Sequence, residues 1–179
     1  YCLCLGGSRG CSMSLPDLAS YIRQVSDELG GLYGVIAHSM GGAATALALS
    51  NVLQLERAVF VSPPSDPRVF LQIFSDALAI SDDVRARLKE RVERRIRISM
   101  ESMRGNVIAP SMRVPLMVIH DRDDKEVPVD SGHSIAEAWP NAELILTEGL
   151  GHQRILRAES VTNVAVRFID AAKHLMAAA

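Results

Sequence analysis

Two serines in this 179-residue chain stand where a hydroxyl could act as a nucleophile. Ser8 lies in Gly6-Gly7-Ser8-Arg9-Gly10, a full G-x-S-x-G match. Ser39 lies in Ala37-His38-Ser39-Met40-Gly41, which has Ala in place of the first Gly. A serine hydroxyl is a weak nucleophile until a base takes its proton and an acid orients that base. Candidates for both follow later in the chain, the acid before the base. The carboxylate-rich segment Asp121-Arg122-Asp123-Asp124-Lys125-Glu126 precedes a glycine-flanked histidine in Glu148-Gly149-Leu150-Gly151-His152. Such a set has the makings of acyl-transfer chemistry.

The elements around each serine decide between the two. A nucleophilic serine needs a sharp strand-to-helix turn with the helix starting at once, so that its first N–H groups and its dipole face the developing oxyanion. Leu32 to Ala37 reads as a strand. Gly41, Gly42, Ala43 and Ala44 then supply the small residues that a tight turn against a sheet requires, and Ala43 to Asn51 reads as an Ala- and Leu-rich helix. Ser8 follows the apolar run Tyr1 to Leu5, also strand-like, but the next helix N-cap, Ser14, comes six residues later. No helix start faces its hydroxyl. Ser39 is therefore the nucleophile candidate, with the Met40 backbone N–H as half of an oxyanion hole, and Ser8 is a loop residue. The plain alternative for Ser39 is a helix N-cap.

Further strands are expected at Arg57 to Val61, stopped by Pro63-Pro64, at Pro115 to His120, and at Ala142 to Thr147. Helical patterns separate them. Ser14 caps one with Leu18, Ile22, Val25 and Leu29 on a single face, and others run from Ser131 to Trp139 and from Ser160 to Met176. Apolar strands alternating with helices imply an α/β fold, a mostly parallel sheet with helices on both faces. Such sheets carry their chemistry at the carboxyl ends of the strands. Residues 63–112 break the rhythm with no strand. Val84, Leu88, Val92, Ile96, Met100 and Met103 continue one apolar stripe along an Arg-rich helix. This reads as a helical insertion lying over the strand ends as a lid, within a single domain spanning 1–179. Its Phe70, Leu71, Ile73, Phe74 and Leu78 offer an apolar wall for substrate.

Composition narrows the partners. With 48% hydrophobic residues and a net charge of −2, the chain can bury a core and has no general attraction for polyanions. Acids interrupt the Arg-rich helix and no aromatic residues accompany it, which argues against nucleic acid. No apolar run approaches the roughly 20 residues of a membrane span. The three cysteines, Cys2, Cys4 and Cys11, are an odd number crowded at one end, as fits buried thiols in a reducing, cytoplasmic setting. No histidine pair has zinc-site spacing with a carboxylate, so neither metal nor cofactor is expected. His38 adjoins the nucleophile, where it could touch substrate. His120 ends a strand, where its imidazole can meet a backbone carbonyl, and His133 and His174 fall in helices.

The chain resembles the α/β-hydrolase family. AHSMGG is similar to that family's nucleophile elbow, HDRDDKEVP to its H-G-x-x-D-x-x-V-P segment with Asp121 replacing the Gly, and GLGHQRIL to its G-x-G-H loop. Position by position, the resemblance implies Asp124 as the acid and His152 as the base, with Asp121 and Asp123 as alternatives for the acid. It also aligns LGGSRG with the family's H-G-x-S-x-G loop, Leu5 standing where His is usual. The implied activity is hydrolysis of small carboxylic esters of short to medium chain. Thioesterase, lactonase, carbon–carbon hydrolase, acyltransferase or a non-catalytic interaction role on the same fold are the alternatives. Members usually carry strands before the one matching Tyr1 to Leu5, and a loop after one of them donates the second oxyanion N–H. The resemblance thus implies an N-terminally shortened hydrolase, with Gly6 or Gly7 as the alternative donor. It further implies a poor esterase whose exposed first strand favours a homo-oligomer.

Overall fold

The computed structural model describes residues 14–176, with side chains described as far as 171. The strand expected at Tyr1 to Leu5, the Ser8 loop and the three cysteines lie outside the described residues. Four strands, β1 (Gly34–His38), β2 (Arg57–Val61), β3 (Leu116–Asp121) and β4 (Ala142–Thr147), pair in the order β1-β2-β3-β4, all parallel. All four carboxyl ends therefore open on one edge. The register runs from Val35 opposite Ala58 through Val59 opposite Met117 to Ile119 opposite Ile145.

The two central strands, β2 and β3, are apolar runs buried on both faces, and the period of two is visible in their packing. Ala58, Phe60, Leu116 and Val118 belong to one core. Its other walls come from α1 (Leu15–Glu28), α2 (Met40–Asn51) and α6 (Asp130–Ala138). Val59, Val61, Met117 and Ile119 pack on the opposite face against Val161, Ala165 and Phe168 of α8 (Glu159–Met176). The α1 helix starts where Ser14 and Asp17 form a reciprocal capping box. On α2, Gly42, Ala44, Thr45, Ala46, Leu47 and Ala48 are all buried, and the small side chains among them let the helix fit between the sheet and α1. No described helix is long and apolar enough to cross a membrane.

The segment between β2 and β3 divides in two. Its first part is a pair of helices, α3 (Arg68–Ala77) and α4 (Asp82–Ile96), in which Ser75 is the one buried residue described. Its second part holds α5 (Gly105–Ile108) flanked by short 3-10 turns, and Met100, Met103, Ile108, Ala109 and Met112 all enter the core beside α2 and α6. The single apolar stripe expected from Val84 to Met103 is corrected here. Arg97 turns left-handed (φ 58°) and ends α4, while the Glu93 carboxylate accepts the Met100 N–H at 2.7 Å beyond the break. The apolar spacing continues across a helix end, but the helix does not.

Candidate active site

Ser39 occupies the turn between β1 and α2 with φ 52° and ψ −126°, a backbone region costing a non-glycine residue about 1–3 kcal/mol. Neighbouring structure holds it there. Its N–H donates to the Val61 carbonyl at 2.9 Å, and the Gly42 N–H closes the turn onto the Ser39 carbonyl at 2.9 Å. The space beside Gly42 is tight. A Cβ at that position would lie 3.2 Å from Pro63 Cβ and 3.3 Å from Phe60 Cγ, whereas one at Gly41 would meet nothing nearer than Ala37 Cβ at 3.7 Å. The helix begins at Met40, earlier than the sequence pattern suggests, so the Met40 N–H is the first of α2 and has no intrahelical acceptor.

The candidates for acid and base, Asp124 and His152, lie in the loops after β3 and β4. Asp124 is buried, and its Oδ1 accepts the backbone N–H groups of Glu126 (2.9 Å) and Val127 (2.8 Å). Its Oδ2 lies 2.7 Å from His152 Nδ1. A carboxylate only accepts, so Nδ1 of His152 donates, and in the neutral ring Nε2 keeps its lone pair for a proton. Burial pushes the Asp124 carboxyl up, but the Val127 N–H, His152 and the Glu126 N–H outweigh it, and the group sits below the usual aspartate value. Glu126 brings a second carboxylate to the base, its Oε2 3.9 Å from His152 Nε2. Nothing in the spacing of the loop announced that contact.

Asp121 and Asp123 do different work. Asp121 is fully buried and accepts Thr147 Oγ1 (2.6 Å) and the N–H groups of Gly151 (2.9 Å), Asp123 (3.0 Å) and Leu150 (3.1 Å). Asp123 accepts the Gly149 N–H at 2.9 Å. Together they fasten the histidine loop to the acid loop. Gly149 (φ 78°) and Gly151 (φ 65°) supply the left-handed backbone that lets this loop present its amides.

The other histidines divide between support and contact. His120 is buried and places Nε2 3.0 Å from the Val127 carbonyl, as the strand-end position suggests, and 3.5 Å from Asp124 Oδ2. Burial holds it below the usual histidine range. Gly132 packs so closely that a Cβ there would sit 2.7 Å from His120 Nδ1. His38 turns toward the base, its Nε2 3.0 Å from the His152 carbonyl oxygen and its ring centroid 4.6 Å from that of His152. His133 is half-buried on α6. On α3, Phe70 is half-buried and Phe74 is 51% exposed. Sequence reasoning also missed Ser62, a fully buried left-handed residue (φ 49°) at the end of β2.

Residues 11–159 match the family described as Serine hydrolase. No curated protein sequence matches the chain significantly. Among solved structures, the chain is similar to Rv0554 from Mycobacterium tuberculosis at 16% identity and a TM-score of 0.67, covering 92% of this chain and 74% of that one. It is similar to the meta-cleavage product hydrolase CumD from Pseudomonas fluorescens at 15% identity and a TM-score of 0.63, covering 92% and 75%. It is also similar to MGS-MChE2, an α/β hydrolase enzyme from the metagenome of lagoon sediments at Mar Chica, Morocco. That match has 17% identity and a TM-score of 0.62, and covers 90% and 74%. Identities this low speak for the fold, which is that of the α/β-hydrolases.

Proposed function

Because the chain belongs to the serine hydrolase family, we propose that it hydrolyses carboxylic esters of short to medium chain, with Ser39 as nucleophile, His152 as base and Asp124 as the orienting acid. The 2.7 Å contact between Asp124 and His152 Nδ1 carries this reading, since it leaves Nε2 as the proton acceptor. The left-handed Ser39 at the start of α2 supports it.

In this mechanism Ser39 Oγ attacks the ester carbonyl carbon while His152 Nε2 takes the hydroxyl proton. The carbonyl oxygen becomes an oxyanion, which the Met40 N–H stabilises. The ester C–O bond then breaks and His152 returns the proton to the departing alcohol. Water attacks the acyl-enzyme through the same base and releases the acid and Ser39. Phe70 and Phe74 on α3 supply apolar surface for the acyl chain.

A fluorophosphonate probe tests the assignment. It should label the native chain and leave Ser39→Ala blank, whereas labelling that survives the loss of Ser39 would overturn it. The Pseudomonas fluorescens neighbour is named a meta-cleavage product hydrolase, and a carbon–carbon bond hydrolase is the second reading that this fold can host. Turnover of p-nitrophenyl acetate and butyrate separates the two.

A further inference from the structure

His38 ends β1 and His152 follows β4, so two whole strands lie between the nucleophile's turn and the base's loop. With strands spaced about 4.8 Å apart, their ends are separated by roughly 14 Å. The two loops share no strand pairing, yet the chemistry needs them in register to within about half an ångström. His38 spans the gap. Its Nε2 lies 3.0 Å from the His152 carbonyl oxygen, and the two rings stand 4.6 Å apart with their planes tilted by 47°. A carbonyl only accepts, so His38 Nε2 carries its proton and donates it to the base's own backbone.

We propose that His38 is a positioning residue for the general base: it ties the His152 backbone to the nucleophile turn and, by ring contact, fixes the plane in which Nε2 meets the Ser39 hydroxyl. The proposal rests on the reading of Ser39 and His152 as nucleophile and base. It gives His38 Nε2 a role other than touching substrate, because that nitrogen is bonded to the base loop. The neutrality of His38 fits the task. Burial first, and then the neighbouring His152, hold it below the usual histidine range, against the pull of its hydrogen bond. When His152 takes the Ser39 proton it becomes a cation, and a second cation 4.6 Å away would oppose that step. A neutral imidazole offers a donor and a packing surface without that repulsion.

Two substitutions separate the donor from the ring. His38→Phe keeps an aromatic ring and loses the donor, while His38→Gln keeps a donor and loses the ring. Measured on p-nitrophenyl acetate, His38→Phe should lower kcat by roughly 10–100-fold, the scale of an ångström's misplacement. KM should hold. His38→Gln should recover much of the lost kcat. A loss confined to KM, a native kcat in His38→Phe, or a His38→Gln variant as impaired as His38→Phe would each overturn the proposal. Should His38→Phe not fold, His38→Ala, which adds no bulk, takes its place with the same expectations.

A proton NMR measurement stands apart from turnover. The His152 Nδ1 proton shared with Asp124 should exchange with water faster in His38→Phe than in the native chain, and unchanged exchange would count against His38. Failure of the native chain to react with a fluorophosphonate would instead strike the reading of Ser39 and His152, leaving this exchange test in force.

Discussion

The loops at the carboxyl ends of β3 and β4 and the helix pair α3–α4 hold themselves in place by opposite means. In the first region buried carboxylates bond backbone amides, a hydroxyl and an imidazole: Asp121 takes four such bonds and Asp124 three. In the second, α4 buries no residue, and ion pairs such as Arg87 with Asp83 (2.7 Å) and Arg94 with Glu90 (3.7 Å) lie along its outer surface. Buried charge-assisted hydrogen bonds contribute about 1.5–3 kcal/mol each, against 0–1 for surface pairs. The difference teaches where change is tolerated. The loops are fixed by buried groups whose removal is costly, while the exposed charges of α4 can vary without disturbing them.

The largest expected effect tests the chemistry of those loops. Asp124→Asn should cost roughly 10⁴ in kcat, because the amide no longer selects the His152 tautomer with a free Nε2. The fold should largely survive, since the Asn oxygen can still accept from Glu126 and Val127. Initial rates beside urea unfolding measure both quantities. A tenfold loss or less would mean that Asp124 is not the orienting acid.

Asp121→Asn should reverse that pattern, with a modest loss of kcat and a stability loss of about 3 kcal/mol, as a buried acceptor turns a donor toward amides. It also has a pH signature. Burial pushes the Asp121 carboxyl up, but the Thr147 hydroxyl and the amides of Gly151, Leu150 and Asp123 bring it below the usual value. A carboxylate with a lowered folded-state pKa contributes stability that is complete above the unfolded value of about 3.9. That contribution is lost as pH falls from there through the folded value. Native stability should therefore drop as pH falls below about 4, and less steeply in Asp121→Asn. Equal slopes in the two urea titrations would break the contrast between the regions.

Legibility in the sequence follows the same divide. Arg57–Val61 and Ala142–Thr147 are strands over the residues read as strands, because short β-branched runs bounded by turn residues leave little choice. His152 meets Asp124 rather than Asp123 or Asp121, and Asp124 Oδ1 collects the amides of Glu126 and Val127; the family resemblance, and not the run of carboxylates by itself, is what singled out Asp124. Tertiary contacts were less legible. His38 reaches His152 from the end of β1 and Glu126 from the loop after β3, both far away in sequence, and no local pattern reports such a meeting. Met100 and Met103 kept a helical period, but the period continues across the left-handed Arg97. An apolar residue there is needed by the core whether or not the helix continues.

The smallest expected effect is the sharpest test of the comparison. Asp83 and Arg87 stand one turn apart on α4, their side chains 70% and 76% exposed, and form a 2.7 Å ion pair. Holding two long side chains together in water costs nearly as much entropy as the screened attraction returns. A double-mutant cycle with Asp83→Ala and Arg87→Ala should give a coupling of at most about 0.5 kcal/mol, shrinking in added salt. The turnover of p-nitrophenyl acetate should not change, because α4 buries nothing that the loops after β3 and β4 rest on. A coupling above about 2 kcal/mol, or a fall in kcat with either single change, would show that the helix pair bears on the catalytic frame. The division between a fixed site and a variable neighbour would then have to be abandoned.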